Sequence, residues 1–115
     1  MGLLLTGNTL AATNGANELS DISVASMPDD RVQITLTLAK EATKQPISFT
    51  IDNPARIALD LPDTHNRLSK RSQSIGVGMA RSITAVEAKG RTRVVLNLEK
   101  MVPYDTKVSG NKVVI

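Results

Sequence analysis

The chain has 115 residues, room for one domain with one hydrophobic core. It is 41% hydrophobic and 22% charged, a globular composition, and it lacks cysteine, which excludes disulfides, thiolate catalysis and thiolate metal sites. Its 14 basic and 11 acidic residues leave a net charge of +3, unevenly spread: Arg67, Lys70, Arg71, Arg81, Lys89, Arg91 and Arg93 share their stretch with one acid, Glu87. Such a run favours an anionic partner, and the alternative is a solvated surface.

The opening MGLLLTGNTLAA carries an apolar run, Leu3 to Leu5, and ends in small residues like the close of an export signal. No Lys or Arg precedes Arg31, so the charged start of a complete signal is missing. The apolar run is also too short to span a membrane. Residues 1–17 therefore read as the remnant of an export signal with a flexible polar lead-in, and residues 18–115 as the domain. A cloning scar or a disordered terminus is the alternative.

From Arg31 the chain runs RVQITLTL, with Val32, Ile34, Leu36 and Leu38 alternating with polar residues. Period two with β-branched residues marks a half-buried strand. Shorter runs of the same kind are Ile22/Val24, Ile47/Phe49/Ile51, Ile57/Leu59/Leu61, Val94/Leu96/Leu98, Tyr104/Thr106/Val108 and Val113/Ile115. Turn residues separate them at Pro28-Asp29-Asp30, Asp52-Asn53-Pro54, Lys89-Gly90-Arg91 and Ser109-Gly110-Asn111. No stretch keeps a helical period, although Ala39 to Lys44 has room for one helical turn. The long connection from Pro62 to Arg81 is expected to hold some pairing, with Ile75, Val77 and Met79 as a Gly-weakened strand. The fold class is all-β.

The halves resemble each other. DISVASMPDDRVQITL aligns with SITAVEAKGRTRVVLNL, matching Ile22 to Ile83, Arg31 to Arg93 and Ile34 to Leu96. QPISFTIDNPARIAL aligns with VPYDTKVSGNKVVI. Neither half buries its apolar face alone, so the expectation is a two-sheet antiparallel β-sandwich with an internal pseudo-two-fold repeat. In this register Ile115 falls opposite Leu59, which reads as a fragment of a longer protein.

Three segments carry a family resemblance. Ala55-Arg56-Ile57-Ala58-Leu59-Asp60-Leu61-Pro62, Arg91-Thr92-Arg93-Val94-Val95-Leu96-Asn97-Leu98 and Val102-Pro103-Tyr104 with Gly110-Asn111 resemble, in order and spacing, the strands of AMIN domains. The resemblance covers roughly Glu18 to Ile115. It implies a non-enzymatic, periplasmic module of an outer-membrane-associated protein that holds its host to peptidoglycan. The host is most like a type IV pilus secretin, with an N-acetylmuramoyl-L-alanine amidase as the alternative. Its implied partners are peptidoglycan and other domains or subunits of a multimeric secretin.

If the aliphatic positions face inward, the outward sets are Arg31, Gln33 and Thr35 (with Thr37), Arg56 and Asp60, and Arg93 and Asn97. These guanidinium forks, amides and hydroxyls, on surfaces expected to be without large apolar groups, suit the carboxylates and amides of peptidoglycan. Phe49 and Tyr104, the only aromatics, sit at inward-reading positions, which argues against stacking on sugar rings. Other readings remain: a surface ion pair between Arg56 and Asp60 worth about 0–1 kcal/mol, and docking of exposed strand edges onto subunits or periplasmic partners. Nucleic acid is disfavoured by the want of surface aromatics, and nothing in the chain suggests direct membrane insertion. The sole histidine, His65, with Asp63 and Ser69 or Ser72 lacks a nucleophile-elbow motif, and one His without Cys is a poor metal site. No catalytic residue, metal or cofactor is expected.

Overall fold

A computed structural model describes residues 16–42 and 45–115. The export-signal reading of residues 1–15 and the last two residues of the possible helical turn, 43–44, lie outside the described residues. Ala39 to Ala42 forms bends and irregular chain, not helix, and Asn17 already opens the first strand.

The strands are β1 (Asn17–Met27), β2 (Arg31–Leu38), β3 (Ile47–Ile51), β4 (Arg56–Pro62), β5 (Thr64–Asn66), β6 (Ser72–Val77), β7 (Ala80–Ala88), β8 (Arg91–Leu98), β9 (Lys107–Ser109) and β10 (Lys112–Val114). They form two five-stranded sheets, ordered β9-β10-β2-β1-β5 and β3-β4-β8-β7-β6. All pairings are antiparallel except β1 with β5. Among the described residues no helix occurs, and so none is long and apolar enough to cross a membrane.

One core joins the sheets. Leu19, Ile22, Ile34, Leu36, Leu38 and Val113 from the first pack with Ile57, Leu59, Leu61, Ile83, Val94, Leu96 and Leu98 from the second, each at most 7% exposed. Burying a side chain of this size contributes about 1.5–3 kcal/mol, so this packing dominates stability. Leu19 and Ile22 both face inward although three positions apart, because a bulge after Leu19 shifts the alternation. The same device after Ala80 turns both Ala80 and Ile83 inward.

Turn chemistry closes the hairpins. Lys89 and Gly90, with φ of 51° and 80°, form the two-residue turn between β7 and β8 that the twist of antiparallel strands favours. The expected pairing within Pro62–Arg81 is present as β5 and β6, whereas Tyr104 to Thr106 is irregular and only Lys107–Ser109 pairs.

The internal repeat does not appear as a demonstrated symmetry. Ile22 lies opposite Leu36, and Ile83 opposite Leu96, so the hairpin registers carry Leu36 and not Ile34 onto Leu96. The edges differ as well: β5 runs parallel to β1, while β6 runs antiparallel to β7. The hairpin β3–β4 joins β8 of the later half, and β9–β10 joins β2 of the earlier half.

Candidate binding face

The seven expected binding residues lie on two different sheets. Arg31, Gln33 and Thr35 sit on β2, on the outer side of the first sheet, opposite Met27, Ala25 and Ser23. Arg56 and Asp60 on β4 and Arg93 and Asn97 on β8 share the outer side of the second sheet. The outer faces of a sandwich point away from each other, so no small ligand touches both groups. The second group is the denser one.

On β4 and β8, Asp60 stands opposite Arg93, and Arg56 opposite Asn97. Arg93 donates from Nε to Asp60 Oδ1 at 2.7 Å and from Nη2 to Oδ2 at 3.0 Å. Arg91 Nε lies 3.8 Å from the same carboxylate. Asp60 is therefore paired with Arg93, which replaces the expected ion pair with Arg56. The Arg93 hydrogen bonds, opposed by burial and aided by the charges of Arg93 and Arg91, hold the Asp60 carboxyl below its ordinary pKa. Arg56 is half-buried, and its Nε has no protein partner. Asn97 Nδ2 donates to Ser82 Oγ at 3.0 Å, which extends the polar row from β4 through β8 to β7.

Two expectations about this face are corrected. Phe49 does not point into the core. It lies opposite Ala58, on the side of Arg56 and Asp60, and the Arg93 guanidinium covers its ring at 5.0 Å from the centroid. Nor is the face free of large apolar groups. Ile47, 61% exposed, stands opposite Asp60, and Val86, 51% exposed, stands opposite Arg93. Alternation says which residues of a strand share a side, but not which side is the core. The missing signal lay in the hairpin. Counting back through Asp52–Ala55 sets Ile51 against Arg56, Phe49 against Ala58 and Ile47 against Asp60, and directly opposed residues share a face.

The basic run is partly neutralised. Arg67 Nε reaches Glu18 Oε2 at 3.3 Å, and Arg91 and Arg93 converge on Asp60. His65 belongs to a structural clasp: its Nδ1 meets Glu87 Oε2 at 2.8 Å, while the Asn66 N–H donates to Glu87 Oε1 at 2.8 Å. The Asn66 N–H first, and the His65 bond second, hold the Glu87 carboxyl below its ordinary pKa. At one end of the sandwich an apolar cleft of about 660 Å³ opens between the sheets, lined by Val32, Ile34, Leu96, Val102, Tyr104 and Ile115 among others. Arg31 and Gln33 reach its wall, and the other five expected residues do not. Among the described residues no group of three or more His, Asp or Glu is placed to hold a metal.

Comparison with known proteins finds relatives along the whole chain. A fimbrial assembly protein PilQ of Pseudomonas aeruginosa is 40% identical over 115 residues, covering 100% of this chain. A type IV pilus biogenesis and competence protein PilQ of Neisseria gonorrhoeae is 35% identical over 101 residues, covering 88% of this chain. The chain spans 16% and 14% of the length of these relatives. No solved structure matches. The AMIN domain family matches residues 21–115, nearly the whole described sandwich, and the chain belongs to that family.

Proposed function

We propose that this domain anchors a type IV pilus secretin to peptidoglycan in the periplasm during pilus assembly, with no catalysis of its own. The observation that carries this reading is the pair of cross-strand couples on the second sheet, Asp60–Arg93 and Arg56–Asn97. With Arg91 3.8 Å from Asp60, two arginines converge on one carboxylate, and a third, Arg56, lies on the same outer face of the adjoining strands β4 and β8. The excess of cation suits a wall polymer bearing carboxylates and amides. Membership of the AMIN family and similarity to PilQ proteins named for pilus assembly support the host. Single contacts of this kind are weak, and repeated copies in a multimer raise the retention. In this reading Arg31, Gln33 and Thr35, on the opposite sheet, form at most a secondary contact.

Sedimentation with purified sacculi tests the proposal. The wild-type domain is expected in the pellet, less of it at high salt, and less again with Arg56→Ala and Arg93→Ala combined. A supernatant that keeps all the protein at low salt rejects wall anchoring.

A second reading, docking onto neighbouring subunits, is favoured by β3. This edge strand, ISFTI, carries no charge or proline, and Ile47 stands exposed on it. Retention of a secretin or periplasmic partner without sacculi, lost with Phe49→Lys, supports it.

A further inference from the structure

Resting on the wall-binding reading, we infer that the outer face of the second sheet recognises the peptide arm of peptidoglycan, a chain of methyl- and carboxylate-bearing residues, and not its sugar backbone. Sugar recognition by a flat protein face relies on open aromatic rings and on carboxylates that accept from hydroxyls. Neither is on offer here. The Phe49 ring is capped by the Arg93 guanidinium, and both Asp60 oxygens accept from Arg93, with Arg91 beside them.

What the face does present is a guanidinium held in place. A guanidinium has five N–H donors, and Asp60 takes only those on Nε and one on Nη2. Nη1 has no partner among the described residues, and the Arg93 side chain is 40% exposed. Asp60 fixes one edge of the group and Phe49 one of its flat sides, so the remaining edge is preorganised to bind a carboxylate end-on. Asp60 and Arg93 together are neutral, and Arg56 and Arg91 supply the excess cation that attracts an anion.

The apolar residues complete the match. Two of the three large hydrophobic residues exposed among the described residues, Ile47 and Val86, flank this one ion pair, Ile47 opposite Asp60 and Val86 opposite Arg93. Carboxylate and methyl groups alternate along a stem peptide built from alanine, glutamate and a diamino acid. Along this row of the sheet the order is Ile47, Asp60, Arg93, Val86, so one guanidinium and its carboxylate stand between two branched aliphatic side chains. Apart from their acetyl and lactyl methyls, the hydroxyl-covered sugars have little to place against Ile47 and Val86.

The test separates peptide from glycan and both from the wall. Backbone amide NMR shifts are followed while the isotope-labelled chain is titrated with a free L-Ala–γ-D-Glu–diaminopimelate–D-Ala peptide, and separately with glycan strands stripped of peptide by an amidase. Shifts on β4 and β8 with the peptide alone are expected, weakened about tenfold by Arg93→Lys, which keeps the charge but not the fork. Ile47→Ser and Val86→Ser, at exposed positions that tolerate polar groups, are expected to weaken binding as well while leaving the folded spectrum intact. Equal shifts with stripped glycan, or peptide binding indifferent to all three variants, overturn the inference. Sacculi that pellet the protein while the free peptide leaves the face unmoved refute the peptide assignment and spare wall anchoring. Peptide shifts without sedimentation do the reverse.

Discussion

Asp60 and Arg93 face each other across β4 and β8 with two parallel hydrogen bonds of 2.7 and 3.0 Å, on a carboxylate residue only 8% exposed. The same pair orders the proposed binding surface and ties the central strand of the second sheet to its neighbour. Asp60→Asn leaves the site sterically intact but removes the charge that Arg93 and Arg91 share. The expected loss is about 1–2 kcal/mol, at the lower end of the cost of a lost charged partner because the arginines reach solvent. Urea unfolding of the variant measures it.

Acid should weaken the fold through two carboxylates. Asp60 and Glu87 both have folded-state pKa values below the ordinary ones, set first by the Arg93 hydrogen bond and by the Asn66 N–H respectively. The folded protein therefore binds these protons less readily than the unfolded chain. Their contribution is complete above the unfolded values, about 3.9 for Asp and 4.3 for Glu, and is lost as pH falls through the lower folded values. The unfolding midpoint is expected to drop below about pH 4, and to drop less steeply in Asp60→Asn and in Glu87→Gln. An acid slope unchanged in both variants contradicts the assignment.

Most of the fold was legible, for a reason visible in β2. Its apolar and polar residues alternate without interruption, and Ile34, Leu36 and Leu38 are buried as that pattern requires. β1 was half hidden, because the bulge after Leu19 breaks the alternation and most of its outward residues are polar. β5 was invisible: Thr64-His65-Asn66 has no apolar pattern, and its place comes from a parallel pairing with β1 that only the assembled sandwich supplies. At the site, the polar residues were named correctly as outward on β4 and β8. Their partners were not, since Phe49, Ile47 and Val86 are set by register across strands, which is read by counting back through the hairpin turns and not from alternation within one strand.

A glycine joins the two sheets at the end of the sandwich. Gly78 sits in the turn between β6 and β7 with φ of 56°, and a Cβ there would lie 2.9 Å from Val32 Cγ2 on β2. Gly90, at φ 80°, has open space around it. Gly90→Ala carries only the left-handed backbone cost of about 1–2 kcal/mol. Gly78→Ala adds a clash with the branched, half-buried side chain of Val32, which must shift to admit it. Thermal unfolding of the two variants should rank Gly78→Ala clearly lower, and equal midpoints would show that the turn yields without disturbing Val32.

The passage of the chain between sheets rests on two threonines. After β4 the chain turns at Asp63, φ 48°, and enters β5 on the other sheet. The Thr64 hydroxyl donates to the Pro62 carbonyl at 2.8 Å, and the fully buried Thr92 hydroxyl donates to the Thr64 carbonyl at 2.8 Å. Thr92 occupies a core-facing position of β8 where alternation calls for an aliphatic residue, so the hydroxyl must be there for its bond. Thr92→Val keeps the volume and removes the donor, stranding a buried carbonyl at a cost of about 1–3 kcal/mol. Thr92→Ser keeps the bond and removes one methyl, at a cost of about 1 kcal/mol. A larger loss in the valine variant, by urea unfolding, identifies the hydrogen bond as the tie between the sheets, whereas a larger loss in the serine variant assigns the position to packing. Neither substitution touches the outer face of the second sheet, so sacculus sedimentation of the folded variants should equal that of the wild type.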